Sequence, residues 1–279
     1  MRIFLMDSIS KLDFAVWFLV LLFFTGSSLL FGGNLGLSLL GATGVIIEML
    51  LIGLAVEVII ECLKNKKGIG TITGFITNGP EAICLLVGLV VGDIIFAAST
   101  PLGSNFMNPI LLAVAVIMLG GVVKTIKAKP IYTTITILLT AGPAGSFFLL
   151  PESYYPYWLA MVPVITVPLF FKRPEETENV EDIEYSFNPS IYLVPAIIIL
   201  TGAGYYLDQI VSFTAEHSMA PKGVIGFIVL STLTSWPEFK SCLALLSRDQ
   251  HLAAVLNIVV SNITNIWLAA FGIAIYWLQ

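Results

Sequence analysis

Stretches of about 20 residues with almost no charge recur along this chain, each long enough to cross a bilayer core about 30 Å thick as a helix. In hydrocarbon every backbone donor and acceptor has to be satisfied within the protein, so such stretches must become helices packed on helices. Nine are expected, at about 14 to 31, 36 to 61, 69 to 92, 100 to 123, 130 to 150, 156 to 171, 190 to 210, 221 to 247 and 251 to 278. Composition agrees: 57% of the 279 residues are apolar and only 11% are charged, where a soluble domain carries roughly a quarter. The sequence predicts an all-α integral membrane protein.

The remaining charges cluster between the runs. With the N-terminus cytoplasmic and nine spans alternating, the inside loops hold Arg2, Lys11, Lys64, Lys66, Lys67, Lys124, Lys127, Lys129, Lys172, Arg173 and Arg248, eleven of the thirteen Lys and Arg. The outside loops hold only Lys222, and Lys240 falls within a span. That asymmetry predicts a multi-pass protein with its N-terminus in the cytoplasm and its C-terminus on the opposite side, expected in the cell (inner) membrane. The first span follows two basic residues as a signal peptide would, but no A-x-A-like site follows it, so a retained helix is expected. Much of the net charge of -5 comes from KRPEETENVEDIEYSFN, residues 172–188. This stretch is too polar to bury and has no basic or aromatic stripe for nucleic acid, so it reads as an aqueous connector.

The chain also repeats itself. TNGPEAICLL, starting at Thr77, returns as LTSWPEFKSCLALL, starting at Leu233. Thr77 pairs with Thr234, Pro80 with Pro237, Glu81 with Glu238, Ser104 with Ser261, Asn105 with Asn262 and Asn108 with Asn265, every pair at an offset of 157. On the charge argument the span carrying Glu81 runs outward and the span carrying Glu238 runs inward. Two inverted-topology repeats are therefore expected, which place a binding site near the bilayer midplane.

The repeated residues suit a cation. Proline has no N–H for the carbonyl four residues back, so Pro80 frees the oxygen of Ile76 and Pro237 that of Leu233, and each loosens the threonine carbonyl next along. A glutamate follows each proline, and a charge at this depth costs about 2.5 to 3.5 kcal/mol on insertion scales. Hard cations take six to eight oxygens from carboxylates, amides and carbonyls. Glu81 and Glu238 supply charge, Asn108 and Asn265 amide oxygens, and Thr77 and Thr234 backbone oxygens. Ser104 and Asn108 share a helix face, as do Ser261 and Asn265.

Taken singly, these residues have plainer readings: a lone membrane proline is more often a kink, and a lone serine or asparagine more often joins helices. Two Pro-Glu pairs, each followed at the same distance by S-N-x-x-N, favour the functional reading. Glu48 reads equally as a gate or as a structural partner. Glu57 and Glu61 read as solvated near Lys64, Lys66 and Lys67. Lys240 is expected to snorkel to the cytoplasmic interface. Cys62, Cys84 and Cys242 have no metal-type spacing and read as packing residues.

These stretches resemble the two alpha-repeats of the calcium/cation antiporter superfamily, which includes sodium/calcium and proton/calcium exchangers. That family carries T-S-x-P-E on one helix and G-S-N-x-x-N or G-S-N-x-x-D on the next. Here they stand as T-N-G-P-E from Thr77, G-S-N-F-M-N from Gly103, T-S-W-P-E from Thr234 and V-S-N-I-T-N from Val260. The resemblance covers about 69 to 123 and 221 to 278. It implies alternating access around a cluster of cation sites that share Glu81 and Glu238, with Asn108, Asn265, Ser104, Ser261, Ser235 and the Thr77 and Thr234 carbonyls as further ligands.

Three departures from the family pattern matter. Asn78 stands where the family has serine, in a ligand position, and Val260 replaces a glycine, so affinity or ion choice is expected to differ. Sodium-coupled members often carry aspartate at the place of Asn265, whereas proton-coupled members often carry asparagine, which leans the expectation toward protons. The family has five helices per repeat, and the second repeat here lacks the two helices after the one carrying Asn265.

The expected organisation is an N-terminal helix over 1–34, a first repeat with following helices over 35–171, the acidic loop, and a shortened second repeat over 189–279. The expected function is antiport of Ca2+ or a similar divalent cation against H+ or Na+, in contact with lipid and inorganic cations and with no cofactor. The alternative is a non-transporting cation-binding protein, or a subunit that a second copy completes as a homo-oligomer. An enzyme is not expected, since Asp93 and Asp208 lie at span ends, His217 and His251 lie in loops, and no nucleophile-base pair or phosphate-binding glycine loop appears.

Overall fold

Local chemistry sets where the helices begin and end. Ser10 opens α1 (Lys11–Phe31) with a reciprocal box: Asp13 N–H donates to Ser10 Oγ at 3.4 Å, and Ser10 N–H donates to the Asp13 carboxylate at 2.8 Å. Gly32 closes the helix at a φ of 76°, a left-handed conformation that costs a residue without a Cβ little.

The computed structural model describes residues 9–64, 66–91, 94–176, 189–220 and 232–278. After α1 come α2 (Leu35–Leu63), α3 (Ile69–Ile76), α4 (Gly79–Val91), α5 (Ile94–Leu119), α6 (Val122–Lys127), α7 (Pro130–Phe147) and α8 (Tyr155–Phe171). They are followed by α9 (Leu193–His217), α10 (Trp236–Leu246) and α11 (His251–Leu278), with single 3-10 turns ahead of α8 and α9 and no strand among the described residues.

Among the described residues, six stretches are long and apolar enough to cross a membrane: Lys11–Phe31, Ile69–Val90, Thr100–Leu119, Glu152–Phe171, Leu193–His217 and His251–Leu278. The chain is thus an all-α, multi-pass membrane protein. The stretches predicted as spans at 36 to 61 and 130 to 150 form helices, α2 and α7, that are not among these six. The span predicted at 221 to 247 falls partly outside the described residues, as do Arg2, Lys222 and residues 177–188 of the acidic loop.

Packing divides the chain into two compact units, Met1–Cys62 with Ile183–Pro237, and Leu63–Asp182 with Glu238–Gln279. In the first, α2 and α9 approach closely. A Cβ on Gly41 would lie 2.2 Å from Thr214 Oγ1, and one on Gly44 3.1 Å from Ile210 Cγ2. The Trp236 indole N–H also donates to the Met49 carbonyl at 3.2 Å.

The second unit is organised around α11, whose residues from His251 to Ile266 are all buried. A helix buried on every face must be surrounded by others, and α3, α4, α5, α7 and α8 all pack on it. The α3 contact reaches the backbone, because a Cβ on Gly70 would sit 2.1 Å from the Ala253 carbonyl oxygen and one on Gly74 2.6 Å from that of Asn257. Small residues permit such approach in membrane helices. Within the same unit, Trp158 donates to the Pro143 carbonyl at 2.9 Å and Tyr155 stacks on Phe147.

The first turn of α3 has an unusual cap. Glu176, in the connector after α8, accepts from Gly70 N–H at 2.8 Å and from Thr71 N–H at 3.1 Å. A carboxylate there meets orphan amides and the positive end of the helix dipole.

Candidate cation-binding site

Pro80 cannot donate to the Ile76 carbonyl, and the helix breaks there: α3 stops at Ile76, Thr77 and Asn78 form a turn, and α4 restarts at Gly79. The second copy breaks at the turn residue Ser235 and restarts at Trp236. The two restarts, Gly79 and Trp236, are 157 positions apart. Each restart puts a glutamate, Glu81 or Glu238, in the first turn of the new helix, where the dipole favours negative charge.

A second proline builds the crossing of α5 with α11. Pro109 lies inside α5 and has no N–H for the Asn105 carbonyl four residues back. Asn262 supplies the missing donor, its side-chain amide reaching the Asn105 carbonyl at 3.2 Å. The Asn105 amide donates in return to the Asn262 carbonyl at 3.1 Å. Asn262 also donates to Thr140 Oγ1 on α7 at 3.4 Å.

One turn along α5, the Asn108 amide nitrogen donates to Ser261 Oγ at 3.2 Å and to Asn262 Oδ1 at 3.1 Å. With both hydrogens placed, its Oδ1 direction is fixed, and that oxygen is buried and accepts no hydrogen bond among the described residues. Asn265, its counterpart on α11, is fully buried, and neither polar atom of its amide has a hydrogen-bond partner among the described residues.

Asn78 crosses from the helix break to α11. Its amide nitrogen donates to the Ser261 carbonyl at 3.0 Å and to Thr264 Oγ1, while its Oδ1 accepts the Ser261 hydroxyl at 2.8 Å. Asn78, expected as a ligand, has both polar atoms hydrogen-bonded to protein, with one lone pair of its Oδ1 remaining.

Glu238 is fully buried. The hydroxyls of Thr77 and Ser261 face its carboxylate, yet neither oxygen accepts a well-formed hydrogen bond among the described residues. Glu81 is likewise buried, and so is Ser104, whose hydroxyl donates to the Thr100 carbonyl of its own helix at 3.2 Å. Thr234 and Ser235 directly precede the α10 restart, Ser235 buried and Thr234 half-buried.

The structure thus joins Asn78, Ser261 and Asn108 in one lattice beside Glu238 and Thr77, with Asn265 one turn beyond Ser261. Asn105 and Asn262 entered the repeat comparison but not the expected ligand set. Their signal was membership of the identical pairs, while Thr140 and Thr264 gave none.

Lys240, expected to snorkel, is instead buried: it is 5% exposed, and nearly every residue of α10 is covered by protein. Glu61, expected to be solvated, is also buried. No group of three or more His, Cys, Asp or Glu forms a metal cluster among the described residues. A cation here would depend on carboxylates supplemented by amide and hydroxyl oxygens, which suits hard ions rather than transition metals. No family model matches the chain, and no curated protein or solved structure matches it either.

Proposed function

We propose that this chain is a secondary active antiporter of the cell membrane, exchanging Ca2+ or a similar divalent cation for H+ or Na+ by alternating access through a site centred on Glu81 and Glu238. One observation carries the reading. Glu238 is fully buried in the first turn of an interrupted helix, and its two oxygens face the Thr77 and Ser261 hydroxyls but accept no well-formed hydrogen bond among the described residues. A charge so placed needs a neutralising partner. The uncommitted oxygens of Asn108 and Asn265, with the Thr77 hydroxyl, complete a hard-cation donor set.

The reading takes the two halves as inverted copies, as membrane transporters commonly are. The matching helix restarts and the reciprocal Asn105–Asn262 pair support that duplication. Protons are the favoured coupling ion, because asparagine at 265 leaves two glutamates, which can neutralise one divalent ion or take up two protons. Sodium is the alternative.

Proteoliposomes holding the purified protein test the reading. Radiolabelled Ca2+ should accumulate under an imposed pH or Na+ gradient, and Glu81→Gln or Glu238→Gln should abolish accumulation. Uptake that survives both substitutions sinks the proposal. Binding without flux would assign the chain to the non-transporting class.

A further inference from the structure

A serine hydroxyl has one hydrogen and two lone pairs. The Ser261 hydroxyl lies between two acceptors, Asn78 Oδ1 at 2.8 Å and the Glu238 carboxylate that it faces. It can donate to only one of them. In the structure the hydrogen goes to Asn78, and the Asn108 amide occupies one lone pair of the same oxygen. Asn78 is itself immobilised by its two donations to α11, at the Ser261 carbonyl and Thr264 Oγ1.

The copied positions differ. Ser235, the counterpart of Asn78, lacks an amide, and Ser104, the counterpart of Ser261, donates along its own helix to Thr100. The Asn78 amide therefore has no equivalent at position 235.

We infer that Asn78 is a positioning residue that draws the Ser261 hydrogen away from Glu238, leaving the carboxylate with one facing hydroxyl, that of Thr77, in place of two, and leaving the second Ser261 lone pair for a bound cation. The inference rests on the cation-site reading of Glu238 and adds what sets its affinity. A carboxylate that accepts a hydroxyl hydrogen has part of its charge spent, and a hydrogen bond to a charged group counts for roughly 1.5 to 3 kcal/mol. Asn78 prevents that competition, and an apolar residue at 78 would allow Ser261 to turn onto Glu238.

The test is cation binding to the purified full chain in detergent, measured calorimetrically for Ca2+, Mn2+ and Na+ in turn. Asn78→Ala should weaken the tightest-bound cation about tenfold or more. Adding Ser261→Ala to Asn78→Ala removes the competing hydrogen and should recover much of the lost affinity, although each change alone weakens binding. A role in packing alone predicts no such rescue.

Unchanged affinity in Asn78→Ala, or a double variant as weak as or weaker than Asn78→Ala, overturns the inference. So does the absence of binding of any of the three cations to the unaltered chain. Binding that follows the rescue pattern while proteoliposomes show no exchange would remove the antiport reading and leave this inference standing.

Discussion

Asn105 and Asn262 each donate a side-chain amide hydrogen to the other's backbone carbonyl, at 3.1 and 3.2 Å, from positions 157 residues apart. The exchange is symmetric in geometry and asymmetric in consequence. Pro109 deprives the Asn105 carbonyl of its helical donor, whereas the residue four beyond Asn262 is Ile266, which has an N–H. Asn262→Ala strands a buried oxygen and should cost about 1 to 3 kcal/mol, and Asn105→Ala about 1 kcal/mol or less. Thermal melts in detergent would rank the two, and equal losses would contradict the assignment of the orphan carbonyl.

Removing the buried charge of Glu238 should separate function from stability. In Glu238→Gln, gradient-driven uptake should fall to background. The cation-free melting temperature should hold or rise, because an uncompensated buried carboxylate is destabilising. Parallel flux and melting measurements check both limbs.

Close approach of α3 to α11 makes Gly74 intolerant of growth. A Cβ there would meet the Asn257 backbone oxygen at 2.6 Å, and backbone cannot rotate away. Gly74→Ala should destabilise by about 1 to 3 kcal/mol. At Gly142, within α7, a Cβ meets nothing within 4 Å, so Gly142→Ala should be neutral or stabilising by about 0.5 to 1 kcal/mol. Chemical unfolding of both variants provides the comparison.

At the turn before α11, the Lys124 ammonium donates to Asp249 at 2.6 Å and His251 Nε2 lies 3.0 Å from the same carboxylate. Hydrogen bonding from Lys124 and then His251 holds the Asp249 carboxyl below its ordinary range. A depressed folded-state value gives stability that is present above the unfolded value and lost as pH falls through the folded one. The stability difference between the protein and Lys124→Met should therefore persist at neutral pH, vanish in strong acid and shrink with added salt. A difference that grows on acidification would reverse the sign.

What could be read in the sequence follows what the membrane penalises. Pro80, Glu81, Pro237 and Glu238 were visible because a helix breaker and a charge are costly in hydrocarbon and here occur twice at one spacing. The helix breaks fall beside them. Side-chain geometry was less legible. Asn78 offers the same polar atoms as a ligand and as a lattice member, and only the position of Ser261 distinguishes the two. Lys240 lies near a predicted span end, where snorkelling is the ordinary outcome, but α10 has almost no uncovered side through which it could do so. The Thr140 contact with Asn262 depends on α7 reaching α11, which no local pattern encodes.

The Glu176 clasp on Gly70 and Thr71 joins chain positions 106 apart, so α3 to α8 form a noncovalent ring whose two ends are held together. Chain closure over that length carries an entropic cost that grows only logarithmically, and it is met once the helices between have assembled. In polymer terms the ring has an inside and an outside: a backbone cut between α4 and α5 opens it, and one between Glu176 and Pro189 does not. A chain divided at the acidic connector would keep both ends of the ring in one fragment but lose α11, the helix on which the ring packs, so the two fragments would have to be supplied together.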